Sequence, residues 1–235
     1  MLKWLGLAVP VFGLLLLVTL PATLVVSRLD VPDGLGQVRG SVWSGSARWQ
    51  QPGWQPLNLE WRWRGGRDWV WRAHDGNTDL HGLWRPDTQL HLPELRGQLD
   101  LQRLDLAHWL VVARPVGELE LDLERVRFAA GEPPAAEGLV LWREAGLVGA
   151  VQESLGDIEM SLERGDESLD LTVRSRRPAA IQVRGRIELG AARYDADLWL
   201  RADRDRPDLT AALADLGELQ PDGQVRLRIG GATGF

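Results

Sequence analysis

Cysteine is absent from the 235 residues. Disulfides, thiolate metal sites and cysteine nucleophiles are therefore excluded together. Lysine occurs once, at Lys3, and every other basic residue is arginine. Positive charge is also outnumbered: Lys and Arg total 27 against 33 Asp and Glu, a net charge of -6. A nucleic-acid binder concentrates charge of the opposite sign, so nucleic acid is not an expected partner. No Walker loop, Rossmann fingerprint or zinc-peptidase spacing occurs, and no cofactor is expected. Tyrosine appears once and phenylalanine three times, which makes the 12 tryptophans the outstanding feature of the composition.

Long hydrophobic runs are also scarce, with one exception. From Leu5 to Ser27 no side chain is charged. At about 1.5 Å per residue, roughly 20 helical residues cross a hydrocarbon core of about 30 Å. Lys3 precedes the run, Arg28 and Asp30 follow it, and Trp4 stands where an interfacial aromatic belt would lie. A cleaved signal needs small residues at -3 and -1, whereas Ala22 pairs with Leu20 and Ser27 with Val25. The expectation is an uncleaved single span. The basic N-terminus then places the tail in the cytoplasm and residues 28 onward outside it. Residues 1–30 are read as tail and anchor and 31–235 as one β-rich domain.

Past residue 30 the chain reads as short alternating segments. In LNLEWRWR, Leu57, Leu59, Trp61 and Trp63 share one face and Asn58, Glu60, Arg62 and Arg64 the other. This period of two marks a half-buried strand. Trp69 and Trp71 resume the pattern after GGRD, so 57–74 is expected to be a hairpin. RGQLDLQ, GELELDLERVRF, GLVLWRE, DIEMSLER, SLDLTVRS, AIQVRGRIEL, YDADLWLRA and QVRLRIG repeat it. Two stretches look helical: Asp105–Pro115, and Asp208–Gly217 with an Asp cap, a Gly stop and Leu209, Ala212, Leu213 and Leu216 at helical spacing. The fold class expected is mainly β. One N-terminal transmembrane helix precedes a largely antiparallel sheet of about a dozen strands, either a closed barrel or a long curled sheet. No fixed-period repeat emerges, although a glycine-bounded strand recurs loosely around Gly40, Gly97, Gly185 and Gly223.

No constellation with catalytic chemistry stands out. Ser41 and Ser44 in GSVWSGSARW lack the Gly-x-Ser-x-Gly frame of a nucleophile elbow, and no helix follows. His74, Asp75, Asp79 and His81 lie close together without metal-ligand spacing, so no metal is expected. The carboxylates of ELELDLE alternate toward solvent. Tryptophan is the remaining anomaly: Trp43, Trp49, Trp54, Trp61, Trp63, Trp69, Trp71 and Trp84 fall within 42 positions of one another. Trp61 and Trp63 can face Trp69 and Trp71 across the hairpin. They read as a core or as an apolar contact surface near the membrane that receives protein or lipid.

These features together resemble protein N of the bacterial type II secretion system. The resemblance rests on Gly40, Trp43, Gly45 and Ala47 in GQVRGSVWSGSA, and on Gly138 and Trp142 in EGLVLWREAGL. It extends to the ending, with Gly185 in its strand, the Leu216-Gly217 stop and the Asp222-Gly223 turn. It implies an accessory inner-membrane component of the machine that exports folded proteins through an outer-membrane secretin. Such a component is not an enzyme, and its partners would be inner-membrane platform proteins and the secretin. The family is also similar to AsmA-type envelope proteins, which gives the alternative of a lipid-binding or lipid-transport protein with an apolar groove. The shared residues are structural, and no binding role carries over with them.

Overall fold

A computed structural model describes residues 21–23, 34–50, 55–87, 89–103, 113–149 and 152–233. The expected span Leu5–Ser27 lies outside them except for Pro21–Thr23. No described helix is long and apolar enough to cross a membrane.

The described chain is a succession of hairpins. β1 (Leu35–Gly40), β2 (Ser44–Trp49), β3 (Leu57–Gly65), β4 (Asp68–His74), β5 (Asp79–Arg85) and β6 (Leu90–Asp100) come first. β7 (Ala113–Phe128), β8 (Ala135–Gly149), β9 (Glu153–Arg164), β10 (Leu169–Pro178), β11 (Ile181–Leu189) and β12 (Arg193–Ala202) follow. Helix α1 (Pro207–Ala214), β13 (Glu218–Leu219) and β14 (Val225–Ala232) complete it. All 14 strands form one sheet in chain order, except that β14 inserts between β12 and β13. Every pairing is antiparallel, as short connections between neighbouring strands require. Among the described residues no pairing joins β1 to β13, so the sheet is open. Of the two arrangements compatible with the alternation, the barrel is ruled out.

Period two sorts the side chains. Register carries one apolar face across the sheet: Ala47 lies opposite Leu59, Leu59 opposite Ala73, and Leu95 opposite Leu123. The same face continues through Val140 opposite Met160, Val183 opposite Leu200, and Leu198 opposite Leu227. The other face is a ladder of ion pairs between neighbouring strands. Arg96–Asp122 closes at 2.7 Å and Arg186–Asp170 at 2.6 Å, joined by Arg72–Asp79, Arg143–Glu120, Arg174–Glu159 and Arg226–Asp197. Arg226 also lies 4.9 Å from the Trp199 ring centroid. Such exposed pairs contribute about 0.2–1 kcal/mol each, so their main effect is to fix which face is wet.

A single sheet buries little unless something covers it. At the C-terminal strands α1 does so: Leu209 and Leu213 pack with Ile158, Ile181, Val183 and Val225, and Val225 is 1% exposed. A second cluster centres on Leu123, Val126, Val140, Leu162 and Leu169. At β2–β5 no helix among the described residues lies over the face, and burial there falls to small side chains such as Ala47 and Ala73.

Both helix expectations need correction. Of Asp105–Pro115, the first eight residues lie outside the described set, and Ala113–Pro115 open β7 rather than end a helix. Pro115 fits there because proline is tolerated near a strand start. The second helix forms, but Arg206 occupies the cap without a side-chain bond, and Pro207 takes the first turn. Asp208 lies inside that turn, where a negative charge suits the helix dipole, and Arg206 binds it and Glu153. Ala212 and Leu216 are exposed rather than buried, Leu216 at 63%.

Candidate functional site

The GSVWSG stretch is the turn that joins β1 to β2. Gly40 and Gly45 pair across its base, and the Ser41 N–H donates to the Ser44 carbonyl at 2.9 Å. The Ser41 hydroxyl receives the Ser44 N–H at 3.2 Å. Both serines are thus engaged in closing a turn. The three carbonyls at its crown are also taken, each by the following hairpin. The Trp61 indole N–H donates to Ser41 at 3.1 Å and that of Trp69 to Val42 at 3.3 Å, while the Trp63 backbone N–H donates to Trp43. Gly45 is needed for close approach, since a Cβ there would sit 2.5 Å from the Trp61 ring. Ala47 is buried on the same face.

Trp61 and Trp63 face Trp69 and Trp71 across the hairpin, and register sets Trp61 opposite Trp71 and Trp63 opposite Trp69. Trp69 in turn lies opposite Trp84 of β5. Ring centroids are 5.2 Å apart for Trp43–Trp63, 6.3 Å for Trp43–Trp69 and 5.9 Å for Trp69–Trp84. Aromatic pairs at these separations add about 0.5–1.5 kcal/mol beyond area burial. The four tryptophans picked out from sequence are not equivalent. Trp61, Trp69 and Trp71 are half-buried, whereas Trp63 is 43% exposed and Trp84 is 37%. Sequence reasoning missed Trp43 and Trp84 as members of the cluster. The signal for Trp84 was present, since Leu80, Gly82 and Trp84 alternate onto the face of Trp69 and Trp71. The indole N–H of Trp71 is buried without an acceptor among the described residues, which costs about 1–3 kcal/mol that its packing must offset.

The cluster occupies one end of the sheet, where the β1–β2 turn, the β3–β4 hairpin tip and the end of β5 come together. The tip carries Arg64 and Arg67, and Arg67 donates to the Pro86 carbonyl at 3.1 Å. A Cβ at Gly65 or Gly66 would meet nothing within 4 Å. Pro21 forms an antiparallel bridge with Ser41, and Ala22 beside it is buried. Pro21 and Ala22, which belong to the uncharged N-terminal run, therefore adjoin the tryptophan cluster.

The other signature residues are spread along the sheet. Trp142 donates to the Val116 carbonyl at 3.0 Å and packs against the C-terminal core. Gly138 sits at φ 131, where a Cβ would come within 2.1 Å of the Asp122 carbonyl oxygen. Gly185 lies opposite Val173 and Leu198. Gly217 lies beside Arg226, and Asp222 accepts from the Gln224 N–H to shape the Asp222-Gly223 turn. The structure does not gather these residues into one site. Among the described residues no group of His, Asp or Glu could hold a metal. In the His74–His81 stretch, Arg72 binds Asp79 at 2.6 Å, and its guanidinium lowers the pKa of that carboxyl. His74 lies 3.5 Å from Glu60.

No curated protein and no solved structure matches the chain, so kinship with AsmA-type proteins finds no support there. A family model described as type II secretion system (T2SS), protein N, matches residues 34–228, from the start of β1 into β14. The turn, the central strands and the C-terminal strands just described all fall inside that span, and the chain belongs to the type II secretion system protein N family.

Proposed function

We propose that this chain is an accessory inner-membrane component of the type II secretion machinery, anchored by Leu5–Ser27, with residues 31–235 working in the periplasm through protein–protein contacts. The observation that carries the reading is the family match over residues 34–228, a family of secretion-system components. The partners are the inner-membrane platform proteins and the secretin, and the role is non-enzymatic. Open sheet edges support contact as the mode of action. Beyond the short pairing with β13 at Val225 and Arg226, the outer side of β14 has no partner strand among the described residues. An unpaired edge offers backbone donors and acceptors to an incoming strand.

The test is crosslinking of the intact protein in membranes of a cell with a working type II system, followed by identification of the products. Adducts with platform proteins or the secretin are expected. Crosslinking that yields none, under conditions where the platform proteins crosslink to one another, overturns the reading.

A further inference from the structure

We propose that the tryptophan end of the sheet is a membrane-interface contact, seating Trp63 and Trp84 at the headgroup level of a phospholipid bilayer while Arg62, Arg64 and Arg67 meet lipid phosphates. The proposal deepens the reading above and rests on its anchor. Four observations converge on it. The first is position: the Pro21–Ser41 bridge ties the uncharged run, six residues before its end at Ser27, to the turn that carries Trp43. A run anchored in a bilayer holds the turn bridged to it, and with it this end of the sheet, against the membrane surface.

The second is residue type. Tryptophan, with a large apolar ring and one N–H, is the side chain most at home between hydrocarbon and water. The N–H of Trp63 already donates to the Gly66 carbonyl at 3.1 Å, and that of Trp69 to Val42. The rings of Trp63 and Trp69 can therefore lie among lipid without stranding their donors. Third, the exposed apolar surface continues along this same end of the sheet. Leu90, 47% exposed, lies opposite Phe128, 42% exposed, where β6 begins and β7 ends.

Charge is the fourth. Between residues 34 and 74, Arg39, Arg48, Arg62, Arg64, Arg67 and Arg72 face only Glu60 and Asp68 in an otherwise acidic chain. Asp79 occupies Arg72, and Arg85 occupies Asp68 at 2.6 Å. Arg62, Arg64 and Arg67 are exposed and form no ion pair among the described residues. Guanidinium groups bind phosphate oxygens in a bidentate manner, so a basic, aromatic tip fits an anionic headgroup layer. An acidic partner protein is the competing occupant. It explains the arginines, but it leaves the junction with the hydrophobic run unused.

The native absence of cysteine makes the test direct. The full chain is reconstituted in phosphatidylcholine–phosphatidylglycerol vesicles with one cysteine, at Arg67→Cys on the tip or Asn77→Cys in the turn at the opposite end of β4. Each is labelled with an environment-sensitive fluorophore and mixed with lipid carrying a headgroup nitroxide. Quenching at Arg67→Cys is expected to exceed that at Asn77→Cys by roughly threefold. Alkaline carbonate extraction is run in parallel. If the protein stays with the vesicles and the two labels quench equally, the membrane contact is overturned and the anchor stands. If carbonate releases the protein, the anchor falls and the contact with it. A tip label shielded from aqueous quencher but untouched by the lipid nitroxide points to a protein occupant, and also overturns the proposal.

Discussion

At Gly45 the space for a side chain is already filled. The Trp61 ring and the Arg39 carbonyl oxygen both lie 2.5 Å from where a Cβ would be. A turn that binds its hairpin through three carbonyls cannot retreat to make room. Gly45→Ala is expected to lower stability by about 1–3 kcal/mol, read as a shift in the urea midpoint with a change in tryptophan emission. Ser44→Ala is the informative companion. Ser44 serves the turn through its backbone N–H and carbonyl, so removing its hydroxyl should cost less than about 0.5 kcal/mol. Equal effects at the two sites would show that the close approach to Trp61 is not what makes Gly45 necessary. The quoted sequence around these residues showed a failed nucleophile motif and a bend. The clamp by Trp61, Trp63 and Trp69 was invisible there, because those donors lie 20 to 27 positions from the carbonyls they bind.

Individual strands carry their own curvature. Gln37, Arg125 and Glu144 adopt φ of 51°, 54° and 50°, and each falls where the register shifts. A left-handed conformation costs a non-glycine residue about 1–2 kcal/mol, and bulges of this kind bend a strand and sharpen its twist. Glu144 is exposed and makes no ion pair among the described residues. Glu144→Gly should therefore hold or raise stability by up to about 1 kcal/mol, where glycine in a regular strand would lower it. Gly138 is the converse case. At φ 131 and 2.1 Å from the Asp122 carbonyl oxygen, an added methyl has neither conformation nor space. Gly138→Ala is expected to cost about 3 kcal/mol or more by urea denaturation. A neutral result would mean that β7 and β8 part easily there. Alternation in GLVLWRE revealed the strand, but a bulge at Glu144 leaves no mark in residue type, because glutamate is not a left-handed residue by preference.

For the whole molecule, the ion-pair ladder and one histidine set the response to acid. Burial first, then Arg127 and Arg85, hold the His91 pKa below its ordinary 6.5. The neutral ring is the folded form, so its contribution is complete above about pH 6.5 and is lost as pH falls toward the lowered value. Hydrogen bonds from Arg72, Arg186 and Arg226 lower Asp79, Asp170 and Asp197 below 3.8. Their contributions are complete above that value and are lost as pH falls from it through the lowered values. The urea midpoint should therefore decline in two steps on acidification, one beginning near pH 6.5 and a steeper one below about 4. His91→Gln should abolish the first step and leave the second, and salt should shrink the second because these pairs are exposed. A first step unchanged by His91→Gln would assign it to another group. By itself the sequence determined the antiparallel strands, the two chemically distinct faces, the facing of Trp61 and Trp63 with Trp69 and Trp71 across their hairpin, the helix near residue 208 and the family. Each follows from local geometry: a strand alternates every second residue, and a hairpin joins what lies beside it. Tertiary structure alone decided that the sheet stays open, because closure depends on twist and bulges summed over every strand. It alone decided which aromatic residues face solvent, because exposure depends on cover from distant chain. Leu209 and Leu213 of α1 supply that cover at the C-terminal strands, and no described helix supplies it to Trp63 and Trp84.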